Sequence, residues 1–155
     1  MSLADYEKAL TNCKPDECDS TFQKIADRYE DDLLEFDEYP EDYFHFFLKL
    51  LCEERFFEKP GLWNFLLVLS TESHKLSMEH YNKIADCIVD NYLKYNDADL
   101  CLSVCDFIAR NYESKFAERL LLGLKDIEKQ KIKAGFADDG LRILQNEIER
   151  SKARP

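Results

Sequence analysis

The chain reads as an all-α protein, an α-α superhelix in which about three helical hairpins stack behind an N-terminal helical cap. Three observations predict this. Only four glycines and four prolines occur in 155 residues, too few for the turns that a sandwich or barrel requires. Apolar residues recur at helical spacing through most of the chain, and no segment alternates strictly between apolar and polar. Short polar breaks separate the periodic segments at intervals suited to hairpins.

The clearest period runs from Ser77 to Tyr95, where Tyr81, Ile84, Ala85, Ile88, Tyr92 and Tyr95 share one face and Ser77 stands as N-cap. Asn96 and Asp97 stop that helix and cap the next, Ala98 to Tyr112, whose stripe is Leu100, Val104, Phe107 and Ile108. Upstream, Glu41 to Phe57 carries Phe44, Phe47, Leu48 and Leu51 behind Pro40, placed as a first-turn proline. Pro60-Gly61 breaks the chain, and Leu62 to Leu69 makes a second, shorter helix that is apolar almost all round. Its Trp63 is expected at the centre of the stack. Downstream, Ser114 caps a helix with Phe116, Leu120, Leu124 and Ile127, and after Gly135 a last helix carries Leu141, Leu144 and Ile148. Asp5 to Asn12 and Ser20 to Phe36 form the cap, so that residues 1–39 precede three hairpins over residues 40–152 of one domain. An irregular helical bundle is the competing arrangement.

The second helices of the hairpins align on Leu62, Leu100 and Leu141, 38 and 41 residues apart. With the acidic connectors Asn96-Asp97-Ala98-Asp99 and Asp138-Asp139, this spacing resembles HEAT and armadillo repeats, whose period is about 40–47 residues. The segments Pro60-Gly61-Leu62-Trp63, Asp99-Leu100-Cys101 and Asp106-Phe107-Ile108-Ala109-Arg110-Asn111-Tyr112 also resemble small acidic helical immunity proteins encoded beside bacterial toxins. The first resemblance implies a protein-binding stack, the second an acidic inhibitor of a basic enzyme.

Composition narrows the function classes. With 45% hydrophobic and 34% charged residues the chain is too apolar for disorder and too charged for a membrane protein. Its longest apolar run is far shorter than the roughly 20 residues of a membrane span. The N-terminus, Met1-Ser2-Leu3-Ala4-Asp5, shows no secretory pattern, which makes the cytoplasm the expected location. Cys13, Cys18, Cys52, Cys87, Cys101 and Cys105 are accordingly expected as reduced thiols.

Catalytic signatures are missing. No phosphate-binding glycine loop, paired-histidine zinc motif or nucleophile elbow occurs, and no cofactor is expected. Cys87, Cys101 and Cys105 lack an evident fourth ligand for zinc and read as buried structural cysteines. Asp42 and His45 have the carboxylate-x-x-His spacing of di-iron bundles without the second pair such a site needs. Glu53 and Glu54 point about 100° apart, so an ion pair with Arg55 is the simpler reading. Lys125, Lys129 and Lys133 read as a solvated ridge. An alternative function, a small-molecule-binding or hydrolytic pocket, would draw on Asp86, Asp90 and Asp106; another is a structural adaptor that oligomerises through its aromatic surface.

Charge supplies the strongest functional signal. Residues 1–58 hold 17 acids against six bases, a net −11, and the remainder is neutral. Between Asp27 and Asp42 nine acids are opposed only by Arg28. Such a strip repels nucleic acid and attracts a basic protein. Aromatics crowd the same region beyond what one helix face can bury, and Tyr43, Phe46 and Leu50 point away from the stripe of Phe44 and Phe47, to be covered by a neighbouring helix or by a partner. The expected partner surface therefore combines Asp31, Asp32, Glu35, Asp37 and Glu38 with Tyr39, Tyr43 and Phe46.

Overall fold

Ser2 opens the first helix of the computed structural model with a reciprocal cap: its hydroxyl accepts the Asp5 N–H and the Asp5 carboxylate accepts the Ser2 N–H. The structure describes residues 1–57, 59, 61–91, 94–95, 146 and 149–150. The helices are α1 (Leu3–Asn12), α2 (Cys18–Leu33), α3 (Glu41–Cys52), α4 (Glu54–Phe57), α5 (Trp63–Thr71) and α6 (Met78–Asn91), with a 3-10 turn at Ser73–Lys75 before α6. Every one of these elements is helical and no strand occurs among the described residues, so the chain is all-α. None of the described helices is long and apolar enough to cross a membrane. The expected helices 98–112 and 114–127, with Cys101, Cys105, Asp106 and the Lys125–Lys133 ridge, lie outside the described residues, as does the last expected helix apart from Asn146.

Local boundaries follow from local chemistry. Pro40 takes the N-cap of α3, with φ −63° and ψ 138°, one residue ahead of the first-turn place expected for it. Extended backbone at Glu53, ψ 123°, splits the expected single helix into α3 and α4. Arg55 then donates to the Glu53 carboxylate at 2.6 Å across that break. Gly61 turns the chain into α5 at φ +95°, and a Cβ there would stand 2.9 Å from the Asp19 Cα. Both the positive φ and the close approach to α2 need glycine. Ser77 caps α6 as expected, accepting the His80 N–H at 3.2 Å while His80 Nδ1 accepts the Ser77 N–H at 3.1 Å.

Packing pairs α2 chiefly with α5 and α3 chiefly with α6, with α1 lying against α2 and α3. Helix α3 is thus covered on two sides. Phe44 meets the His80 ring of α6 at 4.1 Å between ring centres, and His80 Nε2 lies 2.6 Å from the Glu41 carboxylate. That hydrogen bond holds Glu41 below the usual carboxylate range. On the opposite side Phe46 meets Tyr6, Tyr29 and Phe65 at 5.7–6.3 Å. Phe44, Phe47, Phe46 and Leu50 are all buried, and neighbouring helices do the covering. Trp63 departs from expectation. It is only partly buried and flanks the core, because α5 turns Phe65, Leu66 and Leu69 toward α2 and the aromatic cluster.

Two cysteine pairs correct the expectation of free thiols. Cys13 and Cys18 are joined across the α1–α2 turn with Cα atoms 5.2 Å apart. Cys52 and Cys87 are joined between α3 and α6 at 6.0 Å. Both separations are ordinary for disulfides. Adjacency across α3 and α6 is created by packing and leaves no trace in chain spacing.

At the centre lies a polar thread inside an aromatic cluster. The Tyr29 hydroxyl donates to the Tyr43 backbone carbonyl at 2.6 Å and sits 2.6 Å from the Tyr39 hydroxyl. Tyr6 and Tyr43 both donate to the Asp32 carboxylate, at 2.6 and 3.0 Å. Burial pushes all four phenols above their ordinary value near 10. For Tyr6 and Tyr43 the hydrogen bond to Asp32 adds to the rise, and Tyr43 reaches about 12. A raised phenol value in the fold stabilises the chain fully below pH ~10, and that contribution is lost as the pH climbs through the folded values. Base titration followed by tyrosinate absorbance and circular dichroism should therefore show delayed ionisation and loss of helix in one cooperative step above pH ~10. Four phenols ionising near 10 with helix intact would contradict the network.

Candidate functional site

The acidic strip falls at the C-terminal end of α2 and along the loop to α3. A helix C-terminus carries partial negative charge, and acids in its last turn are disfavoured by roughly 0.3–1 kcal/mol each. Glu30, Asp31 and Asp32 occupy that turn of α2 with no basic residue among them. One buried cation serves the free carbonyl at this helix end. Lys75 Nζ donates to the Leu33 carbonyl at 2.5 Å and lies 2.9 Å from the Glu72 carboxylate, with both charged side chains only 8% exposed. The Lys75 carbonyl in turn accepts the Tyr39 N–H at 3.2 Å. One residue thus fixes the end of α2 and the loop beyond it.

Neighbouring groups divide the expected partner residues into two sets. Asp31, Glu35, Asp37 and Glu38 are exposed and have no cationic partner among the described residues. Asp32 is half-buried and committed to Tyr6 and Tyr43, so it belongs to the framework. The aromatic part of the expectation is corrected. Tyr39 is 3% and Phe46 6% exposed, because Tyr39 packs under α2 and α6 and Phe46 faces α1, α2 and α5. Tyr43 is half-buried against Tyr29 and Phe36.

The apolar groups that do reach solvent beside the acids are Leu34 and Phe36, 64% and 42% exposed. Leu34 falls off the buried stripe of α2 traced by Phe22, Ile25, Ala26, Tyr29 and Leu33. Phe36 keeps the spacing of Phe22 and Tyr29 but lies past the end of the helix at Leu33, where helical spacing no longer decides which side chain is buried.

Other candidate chemistry disperses. Asp86 and Asp90 are exposed on α6, and Asp106 lies outside the described residues. His45 is exposed at 3.9 Å from Glu41, and Asp42 caps the Tyr43 N–H at 3.0 Å. No group of three or more metal-binding side chains occurs among the described residues.

Replacing Lys75 with Met should leave Glu72 buried without a counter-charge and the Leu33 carbonyl without its donor. Breaking a buried pair costs about 3–5 kcal/mol, which for a chain of this size lowers the melting temperature by roughly 6–20 °C. Adding Glu72→Gln should recover part of the loss. A Lys75→Met chain that melts like the parent would show that Lys75 does not hold the end of α2. Comparison of the chain with known protein families, with characterised proteins and with solved structures finds no match in any of the three.

Proposed function

We propose that this chain is a non-enzymatic protein-interaction module whose acidic corner, at the end of α2 and the loop to α3, receives a basic protein. The observation that carries the reading is the concentration of unneutralised acids at a helix C-terminus around two exposed apolar side chains. A partner's Lys or Arg placed there relieves the unfavourable charge, while Leu34 and Phe36 give it apolar area to cover. An acidic inhibitor of a basic enzyme, as immunity proteins are, is the favoured concrete form. In this reading the chain is an α-α superhelix, a solenoid-like stack of helical hairpins, in a cytoplasmic protein that binds neither nucleic acid nor membrane.

Exposed rim charges act mainly on association and buried anchors mainly on dissociation. A photo-crosslinking residue at Phe36 should capture a basic protein in the native host, and one at Asp86 on α6 should not. With that partner, neutralising Asp31, Glu35, Asp37 and Glu38 together should slow association about tenfold and flatten its salt dependence. Leu34→Ala and Phe36→Ala should instead speed dissociation. Crosslinks formed only from α6, or association unchanged by the four neutralisations, would place the interface elsewhere.

A further inference from the structure

The turn between α1 and α2 carries chemistry that a binding corner does not use. Cys13 is the C-cap of α1 and Cys18 the first residue of the 16-residue α2. Cys18 is only 2% exposed, whereas Cys13 is half-buried, so Cys13 is the more exposed residue of the pair. Lys59 Nζ stands 3.6 Å from Cys13 Sγ and is held there by donating to the Thr11 carbonyl at 2.9 Å. A contacting ammonium favours thiolate over thiol.

The surrounding charges leave that ammonium in command. Arg55 donates to the Thr11 hydroxyl at 3.2 Å on the same side and is paired with Glu7 and Glu53, each 2.6 Å away. Burial first and the Arg55 charge second hold Lys59 below the ordinary lysine value, and Lys59 remains the cation in contact with Cys13. No carboxylate pairs with Lys59 among the described residues. Lys14, Asp16 and Glu17 on the turn, and Asp19 in the first turn of α2, point to solvent. The Leu10 carbonyl lies 3.3 Å from Cys13 Sγ and the Cys13 carbonyl 3.4 Å from Cys18 Sγ. Cys52 and Cys87 have no cation at contact distance among the described residues.

From this juxtaposition we propose that Cys13 and Cys18 are a reversible dithiol–disulfide pair that exchanges with low-molecular-weight disulfides of the glutathione class, Cys13 attacking and Cys18 resolving. The Cys13 thiolate attacks one sulfur of glutathione disulfide, forming a Cys13–glutathione mixed disulfide and releasing one glutathione thiolate. Cys18 then loses its proton to solvent and attacks the Cys13 sulfur, forming the Cys13–Cys18 bond and releasing the second glutathione. The protein dithiol is oxidised by two electrons and glutathione disulfide is reduced to two thiols. Excess glutathione runs the sequence backwards.

The test uses the reduced full chain, glutathione disulfide as the probe, rapid alkylation and peptide mass mapping. In the folded wild type Cys13 should react faster than the same residue in the urea-unfolded chain, a comparison that needs no substitution. Cys18→Ser should trap glutathione on Cys13, and Cys13→Ser should leave Cys18 unmodified while folded. Lys59→Met should slow capture at pH 7 about threefold, because removing the contacting ammonium lowers the thiolate fraction while the more basic thiolate that remains is a better nucleophile and takes back part of the loss. At pH ~9.5, below the range in which the tyrosine network ionises and where thiolate predominates in both chains, the difference should shrink or reverse. Glutathione on Cys18 instead of Cys13, a Lys59→Met effect independent of pH, or folded Cys13 no faster than unfolded would each overturn the proposal.

Discussion

Tyr29 stands where α2, α3 and α5 meet, and the requirement that its buried hydroxyl be satisfied governs what surrounds it. Its ring lies within 5.3–6.5 Å of Tyr39, Tyr43, Phe46 and Phe65. Burying a large side chain contributes roughly 1.5–3 kcal/mol. An orphaned buried hydroxyl or carbonyl costs about 1–3 kcal/mol. These magnitudes are comparable, so without its hydrogen bonds the site would gain little from burying a tyrosine. The Tyr43 carbonyl and the Tyr39 hydroxyl remove that cost, and in doing so they fix the start of α3 and the loop before it.

The acidic corner inherits its geometry from this centre. Tyr39 is anchored by its hydroxyl to Tyr29 and by its N–H to the Lys75 carbonyl, and Lys75 closes the end of α2 from the other side. Asp37 and Glu38 therefore project from a loop held at both ends. Asp32 illustrates how a charge run divides by function. The same strip contains a carboxylate that binds two phenols inside the protein and neighbours that face water.

What was legible in the sequence was periodic. The stripes of α3 and α6 placed Phe44, Phe47, Ile84 and Ile88 in the core, and Ser77 and Gly61 announced a cap and a break through their own backbone chemistry. Contacts between distant segments were not legible. Lys75 lies in a polar connector with nothing to mark it as buried, and its role exists only because the 3-10 turn meets the end of α2. Tyr39 and Phe46 were assigned to a partner because one helix face cannot bury every aromatic, whereas α3 is buried on two faces at once. The cysteine pairs show the same limit: Cys52 and Cys87 are 35 residues apart and become neighbours only through helix packing.

The claim that one satisfied hydroxyl couples three helices is tested most directly by native-state hydrogen exchange on the parent chain and its Tyr29→Phe variant. The most protected amides of α2, α3 and α5 should open together in the parent, and all three should lose the same amount of protection, equivalent to about 1–3 kcal/mol, in the variant. Opening of α5 independently of α2 and α3, or loss of protection confined to α2, would contradict the account.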